Sequence, residues 1–280
     1  AFGEAPPGDA TCIAGARWSW LAGPGAAAEA RPLAEALTAA CAGLPAGRVA
    51  LALSGGVDSA VLAALLRDRV VAYTLAPALP DYSEVDAARA IAGRLGLAWR
   101  PVPVTADDLV AALPAAIEAC EGPLYNLHPV GRYLLAAAVR ADGFEYLLTG
   151  DGADEVHRGT SGADYLPIVG ALTRAAGLTA VAPFLDPGVA ASVPRDPDKR
   201  ALRDLACALD VPRPIARGAK RPRFAPALDL SRHRDPARVA ALGRALGRTP
   251  GAATDRERVA WTTLALFARG FAGLELVCAA

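Results

Sequence analysis

A short glycine-containing segment, residues 54–59 (S-G-G-V-D-S), places the tightest constraint on how this 280-residue chain can fold. The apolar run 49–53 precedes it, and the apolar run 60–66, composed of good helix formers, follows it. This order predicts a buried strand, a tight turn and a helix. Such a turn presents unpaired backbone N–H groups at the positive end of a helix dipole, so the segment is a candidate anion site.

The residue types in this turn suit a phosphate group. Gly55 and Gly56 have no Cβ, so the backbone can approach an anion closely. Ser54 and Ser59 add hydroxyl donors, whereas the negative charge of Asp58 requires a cation, and a phosphate-bound Mg²⁺ would suit. The Walker loop is excluded because the lysine of its G-x-x-x-x-G-K-S/T pattern is missing.

The overall composition argues against several classes of function. The 29 basic residues balance the 29 acidic residues, so charge gives no indication of a nucleic-acid partner or a membrane surface. No apolar run reaches membrane-spanning length. The five cysteines are scattered and form no C-x-x-C pair, which indicates reduced thiols in a cytoplasmic protein rather than a zinc site or a disulfide framework.

Strand and helix patterns alternate along the first half of the chain. Buried strands are predicted at 70–75, 99–104 and 144–148, and helices at 28–42, 83–95, 107–120 and 128–140. This alternation predicts an α/β fold, a doubly wound, mostly parallel sheet with helices on both faces. The prolines in 99–104 favour an edge strand. The C-terminal third is predicted to be mainly helical and to end in a helix at 255–274.

A second loop, residues 149–155 (T-G-D-G-A-D-E), follows the strand 144–148 as the first loop follows its own strand. Ligands of such sheets bind beyond the carboxyl ends of the strands, so both loops are expected at one edge. Three acidic residues and two glycines make a poor turn for stability alone. They are suited to holding a metal ion and a reactive amine.

The first loop resembles the pyrophosphate-binding loop (PP-loop) of the N-type ATP pyrophosphatases. The second resembles the S-G-E/D-G-x-D-E signature of asparagine synthetases and of their relatives, the β-lactam synthetases and lasso-peptide cyclases. Together the loops resemble an asparagine synthetase-type domain. Enzymes of this group cleave ATP between the α- and β-phosphates and leave AMP on the acceptor.

The resemblance implies roles for individual residues. Asp58 and Asp154 match the aspartates that hold Mg²⁺ against the ATP phosphates. Asp151 matches a residue that orients or deprotonates the attacking nitrogen, usually glutamate in asparagine synthetases and tyrosine in β-lactam synthetases. The residues it assigns to nucleotide binding are Leu53, Ser54, Gly55, Gly56, Val57, Asp58, Ser59, Leu75, Gly150 and Lys220.

Three C-terminal segments extend the resemblance. Residues 182–186 resemble a P-F-L-D segment that helps to build the acceptor-side wall, and residues 199–207 resemble the K-x-x-L-R helix that follows it. The basic loop 212–224 resembles an R-x-K-x-x-F loop, in which Arg217 and Lys220 take the basic positions. Lys220 would then be catalytic by stabilising the departing pyrophosphate. Lys199 and Lys220 are the only lysines in the sequence, so both are conspicuous.

The resemblance implies an ATP- and Mg²⁺-dependent ligase that adenylates a carboxylate and transfers the acyl group to nitrogen. Three sources of nitrogen remain open: free ammonia, ammonia from a separate glutaminase, or a substrate amine. Two alternatives are an intramolecular macrolactam or lasso-type peptide cyclase, which could use a peptide-binding partner, and a nucleotide-binding subunit without catalysis of its own. Residues 1–28 resemble the linker from a missing glutaminase domain, which leaves residues 29–280 as the synthetase-like domain.

Overall fold

The computed structural model describes seven stretches of the chain, which together contain both predicted loops. These stretches are residues 30–79, 83–124, 126–158, 165–193, 195–218, 228–251 and 254–270. The predicted linker 1–28 and the predicted catalytic residue Lys220 lie outside them. Within these stretches, no helix combines the length and the apolar character needed to cross a membrane.

The described residues alternate between strands and helices, as predicted. The strands are β1 (Val49–Ala52), β2 (Val70–Pro77), β3 (Ala98–Val104), β4 (Tyr146–Leu148) and β5 (Thr179–Val181). The helices are α1 (Leu33–Ala40), α2 (Val57–Leu65), α3 (Val85–Leu95), α4 (Ala106–Cys120), α5 (His128–Ala141), α6 (Ala153–Arg158), α7 (Tyr165–Ala175), α8 (Pro187–Ala191), α9 (Arg200–Ala208), α10 (Arg213–Arg217), α11 (Pro236–Ala245) and α12 (Asp255–Gly270).

The strands form one parallel sheet in the order β3-β2-β1-β4-β5. Leu51 of β1 is in register with Ala72 of β2 on one side and with Leu148 of β4 on the other. The predicted fold class is therefore confirmed, and β3 lies at an edge as its prolines indicated. The opposite edge strand, β5, was not predicted, because three residues are too few to produce a periodic signal and β5 is defined by pairing with β4.

Side chains alternate between two faces of the sheet, and each face is covered by helices. Leu51 and Ala72 belong to a core cluster that includes residues of α1, α2, α3 and α9. Their neighbours Ala50 and Val71 belong to a cluster formed with α5. Each fully buried leucine of this kind contributes about 1.5–3 kcal/mol through the removal of its apolar surface from water. This two-sided core explains why the strands read as continuous apolar runs.

Strand β1 is the point at which the strand order reverses, because β2 lies on one side of it and β4 on the other. In open parallel sheets, the crevice beyond the carboxyl ends of the strands at such a point is the usual ligand site. The loops that follow β1 and β4 are the two motif loops. The sheet therefore brings them side by side, as the sequence predicted.

Candidate functional site

Two serines brace the glycine loop that follows β1. The hydroxyl oxygens of Ser54 and Ser59 are 3.0 Å apart, and the Ser54 N–H donates to the Ser59 hydroxyl at 3.1 Å. The Gly56 N–H donates to the Ser54 hydroxyl at 3.2 Å. Gly56 is the N-cap of α2, and its cap has no side-chain hydrogen bond. The loop therefore directs the positive end of α2 toward the crevice.

Glycine at two positions allows neighbouring backbones to come close. A Cβ on Gly55 would lie 2.7 Å from the Cβ of Ala87, so this glycine lets α3 pack directly on the loop. A Cβ on Gly150 would lie 3.0 Å from the Ser59 nitrogen and 3.2 Å from the Asp58 Cβ. The acidic loop therefore packs against the first turn of α2, and Gly150 forms part of the contact between the two motifs.

The acidic loop turns sharply into α6 at Gly152. Gly152 has φ +89°, a left-handed conformation that side chains other than glycine rarely adopt. A Cβ there would also lie 2.4 Å from Leu185 Cδ2. Leu185 belongs to the predicted wall segment 182–186, so the structure places that segment directly against the acidic loop. Asp154 and Glu155 then fall in the first turn of α6.

Lys199 joins the two motifs electrostatically. Its Nζ lies 2.7 Å from Asp58 Oδ1 and 2.8 Å from Asp154 Oδ1, while its own side chain is only 5% exposed. Both predicted metal-holding aspartates thus meet at one buried ammonium. The contact with Asp58 is a charge-assisted hydrogen bond, roughly twice as strong as a neutral one, and the contact with Asp154 is an ion pair. Lys199 therefore links the two loops.

A constrained turn brings Lys199 to this position. Lys199 has φ +53°, in the left-handed region, and its N–H donates to the Asp196 carbonyl at 2.9 Å. The Asp196 carboxylate accepts from the Arg200 N–H at 2.8 Å, and the Asp196 N–H donates to the His157 carbonyl at 2.7 Å. Left-handed conformation in a residue other than glycine costs about 1–3 kcal/mol and persists only where surrounding contacts impose it. The hydrogen bonds of Asp196 therefore stabilise the turn that places the Lys199 ammonium at the site.

Asp151, the predicted amine-orienting residue, is paired with a residue of another element. Its two carboxylate oxygens accept from Nη1 and Nη2 of Arg132 in α5, each at 2.7 Å. The Asp151 side chain is 11% exposed and that of Arg132 35% exposed. A two-point contact with a planar guanidinium fixes both the position and the rotation of the carboxylate.

The remaining predicted residues lie at different depths. Leu53 is 2% exposed and belongs to the core beneath the loop, and its carbonyl accepts from the Thr74 hydroxyl at 2.8 Å. Leu75 is partly exposed near the end of β2. Arg217 lies at the surface, where its guanidinium contacts Asp204 at 2.6 Å. Contact of Leu53 and Leu75 with a nucleotide stays a prediction, as does the role of Arg217.

Asp58 and Asp154 suit a magnesium ion as partial ligands. Their carboxylate oxygens converge on one point, where Lys199 now supplies the positive charge. Within the described ranges, no cluster of three or more histidine, cysteine, aspartate or glutamate side chains could hold a metal. Mg²⁺ typically takes one or two protein carboxylates and completes its shell with water and phosphate oxygens. The two aspartates therefore fit an ion that arrives with a phosphate ligand.

Burial shifts the pKa values of two residues in α6, Glu155 and His157. Burial raises the pKa of Glu155, and the nearby negative charges of Asp154 and Asp151 raise it further. His157 is fully buried, and within the described part of the chain neither of its ring nitrogens has a hydrogen-bond partner. Burial, followed by the positive charge of Lys199, lowers the pKa of His157 from 6.5 to about 4. The imidazole is therefore neutral at neutral pH.

Mild acid is expected to destabilise the fold through His157, because the unfolded chain binds a proton at this imidazole more tightly than the folded chain does. The folded-state pKa of about 4 lies below the ordinary value of 6.5, so the unfolded chain takes up this proton first as the pH falls. Between about pH 7.5 and about pH 5, this group should lower the unfolding free energy by about 2 kcal/mol. The His157→Leu variant should lack this component. Urea unfolding of both proteins at the two pH values checks it, and equal losses in both would contradict it.

Two contacts of this site escaped sequence reasoning. Lys199 is conspicuous in the sequence as one of two lysines in an arginine-rich chain, but no motif places it between Asp58 and Asp154. Arg132 is not conspicuous, because it is one arginine among many and its partner lies on another element. Both contacts depend on how helices and turns pack around the sheet edge.

Comparison with known proteins agrees with the geometry of the two loops. The sequence model of the family Asparagine synthase matches residues 33–169. Proteins of Mycobacterium bovis and Mycobacterium tuberculosis that carry the provisional name asparagine synthetase (glutamine-hydrolyzing) are 34% identical over 110 residues. That match covers 38% of this chain and only 17% of the length of either relative.

The structure is also similar to that of the NMN synthetase from Francisella tularensis, with a TM-score of 0.44 and 18% sequence identity. That similarity covers 85% of this chain and 89% of the other. The family match spans the glycine loop, the acidic loop and the strands β1 to β4 that bring them together. Residues 33–169, which contain both loops, therefore match an asparagine synthetase-type domain.

Proposed function

We propose that this protein is an ATP-dependent ligase that forms an amide bond. It adenylates a substrate carboxylate, releases pyrophosphate, and transfers the acyl group to ammonia or an amine. One observation carries the proposal: the glycine loop and the acidic loop lie side by side at the strand-order reversal, and Asp58 and Asp154 meet at Lys199. The family match of residues 33–169 supports the same chemistry.

The first half-reaction requires stabilisation of a departing pyrophosphate. The carboxylate oxygen attacks the α-phosphorus of ATP, a new P–O bond forms, and the bond to the β-phosphate oxygen breaks with its electrons on pyrophosphate. Backbone N–H groups at the start of α2 and the ammonium of Lys199 are placed to balance that charge. A Mg²⁺ ion held by Asp58 and Asp154 would neutralise phosphate charge.

The second half-reaction takes place at the acidic loop. The nitrogen lone pair forms a C–N bond with the acyl carbon, and the C–O bond to AMP breaks with its electrons on AMP. The nitrogen donates a hydrogen bond to Asp151, and the proton that it loses leaves through this carboxylate to solvent. Because Asp151 and Asp154 lie in the same loop, the two half-reactions share one crevice. Holding both reactants there contributes several kcal/mol of rate enhancement, on the order of 7–11 kcal/mol at best.

Release of pyrophosphate tests the function. The purified protein is incubated with ATP, Mg²⁺ and a panel of amino-acid, dicarboxylic-acid and peptide carboxylates, each with and without ammonium chloride. We expect pyrophosphate and AMP in equal amounts with at least one acid, and an amide in the presence of nitrogen. Release that persists in the Asp58→Asn variant would indicate a contaminant.

The products distinguish the remaining alternatives. A product that has lost one water within a single molecule would identify an intramolecular cyclase. Amide formation only after addition of a glutamine-hydrolysing protein would identify an ammonia-supplying partner. ATP binding without pyrophosphate release for every acid would contradict the ligase and favour a nucleotide-binding subunit.

A further inference from the structure

Two of the three carboxylates of the acidic loop are paired with different cations. Lys199 contacts Asp154 together with Asp58 of the glycine loop. Arg132 contacts Asp151 with two hydrogen bonds of 2.7 Å. The side of the crevice next to the glycine loop thus has one cation, and the side at Asp151 has a different one, which comes from α5.

The start of α5 is fixed at this edge of the sheet by close packing. A Cβ on Gly131 would lie 2.7 Å from Leu75 Cδ2, so the helix backbone lies directly on the side chain near the end of β2. The next residue, Arg132, reaches the acidic loop after β4. Arg132 therefore bridges the ends of two strands that flank β1, and its position depends on rigid elements rather than on a loop.

Without Arg132, the Asp151 carboxylate would lie in an unfavourable electrostatic environment. Asp151, Asp154 and Glu155 lie within five consecutive residues of the acidic loop and the first turn of α6, so their negative charges repel one another. Asp151 is also only 11% exposed, so water could screen it little. The guanidinium offsets this repulsion and, through its fixed fork of donors, permits only one orientation of the carboxylate plane.

We propose that Arg132 is a positioning residue for the amide-forming step. It holds the Asp151 carboxylate in the orientation that receives a hydrogen bond from the nitrogen nucleophile. This inference rests on the proposed ligase function. It separates the two half-reactions: adenylation depends on the residues around Lys199, and amide formation depends on the pair Arg132–Asp151.

Because the two half-reactions depend on different residues, the Arg132→Met variant is expected to lose amide formation and to retain adenylation. Methionine retains an unbranched apolar stem but supplies no donor, so Asp151 loses its fixed orientation. We expect the rate of amide formation to fall by about 10²-fold. Exchange of labelled pyrophosphate into ATP, which reports adenylation alone, should change by less than about twofold. The acyl-adenylate should then be hydrolysed more often, so AMP should exceed amide in the products.

A double-mutant cycle distinguishes positioning from general damage. Because Arg132 acts through Asp151, the Asp151→Asn variant and the double variant should each lose about as much amide formation as Arg132→Met, rather than the product of the two losses. Arg132→Lys, which keeps the charge but not the two-point contact, should recover part of the rate. Arg100→Met is the matched control, since Arg100 pairs with Asp142 away from the crevice and its loss should leave both rates unchanged.

The experiment uses the carboxylate that supports the strongest pyrophosphate exchange, with ammonium chloride or hydroxylamine as the nucleophile. Equal losses of exchange and amide formation in Arg132→Met, or losses that multiply in the double variant, would overturn the positioning role and leave the ligase function intact. Absence of exchange in the unmodified protein with every acid would instead contradict the ligase function, and the positioning role with it.

Discussion

Replacing Lys199 with methionine is expected to lower carboxylate-dependent pyrophosphate release by about 10³-fold, because it removes a buried positive charge from the place where pyrophosphate departs. Lys199 is 5% exposed and lies within 2.8 Å of both Asp58 and Asp154. Its loss would leave two neighbouring carboxylates without their shared cation. Since these carboxylates are partly exposed to water, we expect the unfolding free energy to fall by about 2 kcal/mol, less than for fully buried pairs.

Magnesium gives this prediction a readout that does not depend on activity. In Lys199→Met, Asp58 and Asp154 retain their charges and need a cation more strongly than they do in the unmodified protein. We therefore expect Mg²⁺ to raise the melting temperature of the variant by more than it raises that of the wild type. Arg94→Met is the control, because it removes a cation from an exposed pair with Asp210. Pyrophosphate release within about twofold of wild type in Lys199→Met would contradict a catalytic role for this ammonium.

The Gly150→Ala variant is expected to release pyrophosphate roughly 10- to 100-fold more slowly than the wild type, through a steric effect alone. The added Cβ would lie 3.0 Å from the Ser59 nitrogen and 3.3 Å from the Asp58 carbonyl carbon, both of which are backbone atoms. The first turn of α2 must therefore move by a few tenths of an ångström. That movement displaces Asp58 and the N–H groups of the glycine loop together. Such crowding costs about 1–3 kcal/mol of stability, which should leave the fold intact.

Gly93→Ala is the matched control for this substitution. Gly93 lies within α3, and a Cβ there would have no atom within 4 Å among the described residues. The change should preserve activity and stabilise the helix by about 0.5–1 kcal/mol. Steady-state pyrophosphate release and urea unfolding of both variants check the pair. Full activity in Gly150→Ala would mean that the two loops do not need their close backbone contact.

Much of the architecture was readable from local patterns. Strands β1 and β2 are buried on both faces of the sheet. Because both faces are buried, each strand appears in the sequence as a continuous run of apolar residues. The prolines of β3 located an edge, because proline removes a donor from the hydrogen-bond ladder. By contrast, β5 has three residues and exists through its pairing with β4, so no local pattern reveals it.

The sequence by itself determined the parallel α/β fold, the two motif loops and the aspartates that they carry, because each of these is encoded in a short contiguous segment. Only the tertiary structure decided which charges meet. Asp58, Asp154 and Lys199 belong to three separate segments of the chain. Asp151 and Arg132 belong to two different elements, 19 residues apart. Their pairing follows from the order of strands and the packing of α5 and the turn before α9. An ion pair of this kind depends on distance in space, which no spacing along the chain specifies.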